Sequence, residues 1–135
     1  MTGYLADTSV FVAAEQDRPI GPPPPGDGRI SVATLTELHL GVRMARRPEL
    51  KELRTATLMQ ARRFVALPYD ETVAERLADL VGRARSAKRK ADMMDAIIAS
   101  TALVHDLVVW TQDAGFDVLA KVEPGLRVHR GTLSA

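Results

Sequence analysis

The sequence predicts an α/β protein of three layers (α/β/α), with helices packed on both faces of a mostly parallel central sheet. Short runs of apolar and β-branched residues alternate with longer stretches whose apolar residues recur at helical intervals. The runs are not joined by hairpin turns, which favours parallel strands connected through helices. With 135 residues, 46% of them hydrophobic, the chain is long enough to bury one core. We expect a single domain over residues 1–130 and a C-terminal tail at 131–135.

The elements of the N-terminal half follow from local residue types. Residues 4–6 form a short apolar strand that closes on Asp7, and Thr8 and Ser9 suit the start of a helix over 10–14. Residues 17–28 include four consecutive prolines and predict an exposed loop. A weak strand at 29–32 precedes a helix from Thr34 to about residue 46. Pro48 fits the first turn of a further helix over 49–64.

The C-terminal half continues the alternation. Residues 65–67 predict a strand, and the next helix begins at Asp70 and ends in a basic segment at 83–90. A helix with Asp92 as its N-cap follows, and residues 96–104 are small or apolar on nearly every face, which predicts packing on two sides. Residues 107–110 predict a buried strand, 116–119 a helical turn and 126–128 a last strand.

Composition excludes several classes of protein. Lysine and arginine total 18 against 17 acids, so the net charge of +1 gives no general attraction to nucleic acid or to an anionic membrane. The absence of cysteine excludes disulfides and thiolate chemistry, and is compatible with a reducing compartment. The N-terminus lacks a basic segment, and apolar runs fall short of the ~20 residues that span a bilayer. We therefore expect a soluble cytoplasmic protein.

Four acidic residues occupy positions that the fold should bring together. Asp7 and Asp113 end strands, Asp95 lies in the first turn of a helix, and Glu37 flanks an apolar helical stripe with Gly41 one turn later, leaving space above the carboxylate. In a parallel sheet these positions meet at the carboxyl edge. Crowded carboxylates repel each other unless a divalent cation is bound, and oxygen-only ligands favour Mg²⁺ or Mn²⁺. Such a centre suits phosphodiester hydrolysis.

Each acid alone has a simpler interpretation. Asp92 and Asp95 are spaced as an N-cap and a first-turn acid, Asp7 can serve as a cap, Glu37 as a solvated side chain and Asp113 as a turn residue. The joint placement of Asp7, Glu37, Asp95 and Asp113 favours a divalent-cation site over these separate interpretations.

The basic and histidine residues leave alternatives open. The basic segment is either a track for a phosphate backbone or a solvated helix end; it contains Arg83, Arg85, Lys88, Arg89 and Lys90. The histidines are scattered, pair with no serine or cysteine, and are interpreted as surface or capping residues: His39, His105 and His129.

The chain resembles the PIN-domain family, and within it the VapC-like ribonuclease toxins of bacterial type II toxin–antitoxin pairs. The matching segments are LADTSV at 5–10, TLTELHLGV at 34–42, MDAIIASTA at 94–102, and TQD at 111–113 followed by Phe116. Each segment alone is weak, whereas the ordered set covers essentially the whole chain.

The resemblance implies a PIN-like fold and Mg²⁺- or Mn²⁺-dependent cleavage of RNA by an endoribonuclease. It assigns the catalytic and metal-binding roles to an acidic quartet, and supporting hydroxyls to two further residues; these are Asp7, Glu37, Asp95 and Asp113, with Ser9 and Thr111. It also implies a homodimer and inhibition by a cognate VapB-like antitoxin, whose peptide lies across the acidic pocket and often offers an arginine.

One position departs from the family pattern. Many members have a further acid immediately before the phenylalanine of the last motif, whereas this chain has Gly115 there and Asp117 just after Phe116. Asp117 is at most a substitute, and Asp92 remains a helix cap.

Other functions compete with the toxin. An RNA-processing nuclease without an antitoxin shares all the chemistry. A phospho-acceptor receiver domain needs an adjacent acid pair after its first strand, and a haloacid-dehalogenase phosphatase needs a second Asp where Ser9 stands, so the sequence favours neither. A non-catalytic interaction protein stays open.

Overall fold

The computed structural model describes residues 3–130, so the tail expected at 131–135 lies outside the described residues. Within that range the chain alternates strands and helices along most of its length: β1 (Tyr4–Ala6), α1 (Thr8–Glu15), β2 (Gly28–Ser31), α2 (Val32–Met44), α3 (Pro48–Ala61), β3 (Val65–Leu67), α4 (Glu71–Ser86), α5 (Met93–Val104), β4 (Val108–Thr111), α6 (Gly115–Val122) and β5 (Val128–Arg130). No helix among the described residues is both long and apolar enough to cross a membrane.

The five strands form one sheet in the order β3-β2-β1-β4-β5, and every neighbouring pair is parallel. β1 lies at the centre, where Ala6 is in register with Trp110 of β4. Because all strands run in one direction, the residues that follow them share one carboxyl edge. The α/β/α class predicted from the sequence is confirmed.

Two core clusters cover the two faces of the sheet. Leu5 of β1 and Val109 of β4 face the cluster formed with α4, α5 and α6, whereas Tyr4 and Trp110 face the cluster formed with α1, α2 and α3. This alternation is the two-residue period of a strand that is buried on both sides. The small residues of α5 are fully buried, as its sequence predicts; they include Ala96, Ala99, Ser100 and Ala102.

Several element boundaries differ from the sequence-based prediction. Ser31 ends β2 and caps α2 by accepting from Ala33 N at 3.0 Å, so the helix begins at Val32 instead of Thr34. α6 is a full helix rather than one turn. β5 begins at Val128, because Leu126 donates its backbone N–H to Glu123 in a turn and packs its side chain into the core. An apolar residue at this position is compatible with a strand and with a turn, so the sequence alone did not determine where β5 begins.

Candidate active site

Asp7 lies at the carboxyl end of the central strand and caps the following helix. The residue is only 3% exposed. A single oxygen, Oδ2, accepts hydrogen bonds from Ser9 Oγ at 2.7 Å, from Thr111 Oγ1 at 2.8 Å and from the Ser9 backbone at 3.4 Å. Because two side chains and the backbone act on one oxygen, the orientation of the carboxylate is fixed.

The two hydroxyls also tie β1 to the segment after β4. Ser9 Oγ lies 3.1 Å from Thr111 Oγ1 and accepts from the Gln112 backbone at 2.9 Å. Thr111 Oγ1 accepts from the Asp113 backbone at 2.9 Å. The hydroxyl pair therefore sets the position of Asp113 relative to Asp7.

Glu37 reaches the cluster from α2 through a contact that the sequence analysis missed. Thr8 Oγ1 donates to Glu37 Oε1 at 2.5 Å and lies 3.1 Å from the buried Thr34 hydroxyl. Thr34 precedes Glu37 by three residues and shares its helix face, which was the available sequence signal. Beside Glu37 the structure has a cavity of about 160 Å³ that Gly41 also lines, in agreement with the predicted space.

Asp95 and Asp113 converge on Gly115. A Cβ atom on Gly115 would lie 2.6 Å from Asp95 Oδ2 and 3.3 Å from Asp113 Oδ2, and the Gly115 backbone donates to Asp113 Oδ1 at 3.1 Å. The missing side chain thus leaves a small cradle bounded by two carboxylate oxygens.

The electrostatics show that the acids belong to one cluster. The pKa of Asp95 is raised to about 7, first by burial and then by the charges of Asp7, Asp113, Asp92 and Glu37, in that order. Burial is also the main cause of a raised pKa for Glu37, opposed by the Thr8 hydrogen bond, and for Asp7, opposed by its hydroxyl partners. We call Asp7, Glu37, Asp95 and Asp113 the acidic cluster. Within this set, the like charges of Asp7 and Asp113 oppose the ionisation of Glu37 and Asp95.

Two other acids lie at the margin. Asp92 is the N-cap of α5 and accepts from the Asp95 backbone at 3.0 Å, as predicted. Asp117 forms an ion pair with Arg130 at 2.6 Å. Asp92 therefore adds negative charge near the acidic cluster. The charge of Asp117 is instead balanced by the guanidinium group of Arg130.

The acidic cluster offers the kind of donor atom that a hard divalent cation prefers. Among residues 3–130, no group of three or more histidine, aspartate or glutamate side chains lies close enough together to hold a metal ion as the side chains stand. The available donor atoms are nevertheless all carboxylate oxygens, and those of Asp95 and Asp113 form the edges of the cradle at Gly115. The charges of the neighbouring acids oppose the ionisation of Asp95. A bound cation would relieve that opposition.

Thr111→Val should separate hydroxyl support from packing. The change keeps the shape but removes the hydroxyl that holds Asp7 and Asp113. We expect a loss of about 1–3 kcal/mol in the free energy of unfolding and a ten- to hundredfold loss in metal affinity, measured by denaturant titration and calorimetry. Thr55→Val, whose hydroxyl is exposed and bonds only within α3, is the control. Equal effects in the two variants would contradict this role.

Gly115→Ala should disturb the cradle. The added methyl group forces Asp95 Oδ2 to move, so we expect a metal affinity at least about tenfold weaker. Gly82→Ala on α4 is the matched control, because its Cβ would meet nothing within 4 Å and should stabilise the helix by about 0.5–1 kcal/mol. Unchanged metal affinity in Gly115→Ala would show that the cradle is not used.

Comparison with known proteins identifies the family. A family model described as the PIN domain matches residues 4–122. The chain is 41% identical over 124 residues to a Mycobacterium tuberculosis protein named Ribonuclease VapC4, covering 88% of this chain and 92% of that relative. It is 34% identical over 116 residues to Ribonuclease VapC5 of the same organism, covering 85% and 86%.

Solved structures agree with the sequence relatives. VapBC-5 from Mycobacterium tuberculosis, a member of the VapBC family of toxin–antitoxin systems, superposes with a TM-score of 0.77 at 29% identity, covering 98% of this chain and 100% of that one. FitAcB from Neisseria gonorrhoeae superposes with a TM-score of 0.69 at 27% identity, covering 94% and 96%. This chain belongs to the PIN-domain family.

Proposed function

We propose that this protein is a metal-dependent endoribonuclease and the toxin of a toxin–antitoxin pair. The observation that carries the proposal is the acidic cluster at the carboxyl edge of the sheet, where the charges of Asp7 and Asp113 act on Glu37 and Asp95 and raise their pKa values. Relatives named VapC ribonucleases, which match most of the chain, support the same activity. We expect the reaction to take place in the cytoplasm, where RNA is present.

The four carboxylates of the acidic cluster would hold Mg²⁺ or Mn²⁺. A bound cation of this type supplies an acidified water as nucleophile and neutralises charge on a phosphodiester. Asp7 contributes a carboxylate whose position is fixed by Ser9 and Thr111, with Oδ1 not used by those side-chain hydrogen bonds. Glu37 is oriented by Thr8. Asp95 presents Oδ2 to the cradle at Gly115.

Metal addition should stabilise the folded protein. Mg²⁺ or Mn²⁺ at about a hundred times its dissociation constant should raise the free energy of unfolding by about 2.7 kcal/mol, measured as a higher melting temperature that a chelator reverses. The same metal should activate cleavage of RNA by the purified protein. Metal binding without any RNA cleavage would overturn the ribonuclease assignment and favour a non-catalytic interaction protein.

The proposed partners follow from relatives solved as toxin–antitoxin systems. We propose a homodimer and a VapB-like antitoxin whose arginine side chain enters the acidic cluster, because a guanidinium neutralises crowded carboxylates. Co-purification with the product of an adjacent small open reading frame, together with inhibition of cleavage, tests the antitoxin. RNA cleavage without such a partner would instead favour an RNA-processing nuclease.

A further inference from the structure

A basic groove lies between the end of α4 and the start of α5. It has a volume of about 450 Å³, and half of its lining residues are cations: Arg85, Lys88, Arg89 and Lys90. None of its lining residues within the described part of the chain is acidic. Because the whole chain carries a net charge of only +1, this concentration is a local feature.

The four cations are available to a ligand. All of them are exposed, and none forms an ion pair with another residue in 3–130. Arg83, two residues before Arg85, differs from these four cations because it forms an ion pair with Asp79 at 3.3 Å. Charged groups left unpaired beside one another repel, so this arrangement lowers stability unless an anion binds.

The backbone holds the basic segment in a defined turn. Lys88 has a φ of 56°, and the backbone N–H groups of Lys88 and Arg89 donate to Arg85 at 3.0 Å and to Ala84 at 2.8 Å. This is the Schellman motif, whose left-handed position favours glycine. A lysine there adds charge at some expense in stability.

The groove lies at the start of α5, the helix that carries Asp95 of the acidic cluster. Its lining ends at Met93, which is 48% exposed and stands two residues before Asp95. Asp92, the residue before Met93, is close enough to the acidic cluster for its charge to raise the pKa of Asp95 and Glu37. A phosphodiester is repelled by four carboxylates, so a polyanionic strand needs neighbouring positive charge to approach them.

We propose that the basic groove binds the phosphate backbone of a single RNA strand and leads it into the acidic cluster. Arg85, Lys88, Arg89 and Lys90 act as positioning residues, and Met93 offers an apolar surface to the ribose or base nearest the cluster. This inference rests on the proposed ribonuclease function and adds the path of the substrate.

RNA binding tests the groove apart from catalysis. In an Asp7→Asn background, the affinity for a fluorescein-labelled single-stranded RNA should fall about tenfold in Arg89→Gln/Lys90→Gln, and the slope of log affinity against log salt should become shallower by about 1.4. Arg62→Gln/Arg63→Gln is the matched control. Those arginines are exposed and precede β3, at the amino edge of the sheet, so both quantities should stay unchanged.

Lys88→Gly separates loss of contact from loss of folding. Glycine suits the left-handed φ at this position, so the variant should melt at a higher temperature than the wild type and still bind RNA several-fold more weakly.

Three outcomes would separate the role of the basic groove from the proposed ribonuclease activity. Unchanged RNA affinity and salt slope in the groove variants would overturn the inference, even if the wild type cleaves RNA. If the groove variants keep the RNA affinity of the wild type but lose binding of polyglutamate, used as a model of an acidic protein, the inference is overturned in favour of an acidic protein partner. If the wild type binds RNA through the groove but cleaves none with Mg²⁺ or Mn²⁺, the proposed activity fails and the groove assignment stands.

Discussion

Asp7→Asn should lower the rate of RNA cleavage by at least about a thousandfold, equivalent to about 4 kcal/mol of transition-state stabilisation. Asparagine keeps the size of the side chain and an oxygen that can accept from Ser9 and Thr111, but it removes the charge that a cation needs. Asparagine is also a favourable N-cap, so α1 should stay intact. The variant should therefore be folded and inactive, which circular dichroism and a cleavage assay with Mg²⁺, Mn²⁺ and a chelator will measure.

Asp70→Asn is the matched control for this substitution. Asp70 caps α4 by accepting from Val73 N at 3.0 Å, so the same chemical change is made at a helix N-cap outside the acidic cluster. Its cleavage rate should equal that of the wild type. Equal activity in Asp7→Asn and the wild type would point to a contaminating nuclease and contradict the assignment of the site.

Asp95→Asn should abolish cleavage and yet stabilise the metal-free protein. The pKa of Asp95 is raised from 3.8 to about 7, so its charged form is unfavourable in the folded state. Removing that charge should raise the free energy of unfolding at about pH 8 by roughly 1–2 kcal/mol, a value reduced from the full shift because the side chain is partly solvated. If Asp95 were a purely structural residue, the same substitution would lower the free energy of unfolding.

The same group sets the pH dependence of the metal-free protein. Because its folded pKa lies above its unfolded pKa, folding favours proton uptake, and stability is greatest below the unfolded value. The wild type should lose stability as the pH rises from 3.8 through about 7. Urea titrations over this range should show a smaller loss in Asp95→Asn and an unchanged loss in Asp70→Asn. Stability rising with pH in the wild type would contradict the raised pKa.

Much of the fold could be predicted because its signals are local. The run at residues 4–6 ends at Asp7, and the small residues of α5 mark a helix buried on two sides, so strand ends and helix starts could be located without tertiary information. The direction of the strands then places Asp7, Asp95 and Asp113 at one edge. The limits of β5 escaped prediction, because Leu126 is apolar for a place in the core rather than in a strand.

The missed features of the candidate site are contacts between distant segments. Thr8 and Glu37 are separated by 29 residues, and nothing local to either one indicates their hydrogen bond. The cradle at Gly115 depends on Asp95 of another helix approaching its Cα, so the sequence showed a departure from the family pattern but not the space it leaves. Residue types indicated the chemistry, and only the fold supplied these distances.

A crystal soaked in Mn²⁺ and measured at the manganese absorption edge will show whether the acidic cluster binds metal. We expect an anomalous peak among the carboxylates of Asp7, Glu37, Asp95 and Asp113, and we expect Asp7→Asn to lack this peak. A manganese peak elsewhere on the protein, or none under conditions where Mn²⁺ supports RNA cleavage, would contradict this expectation.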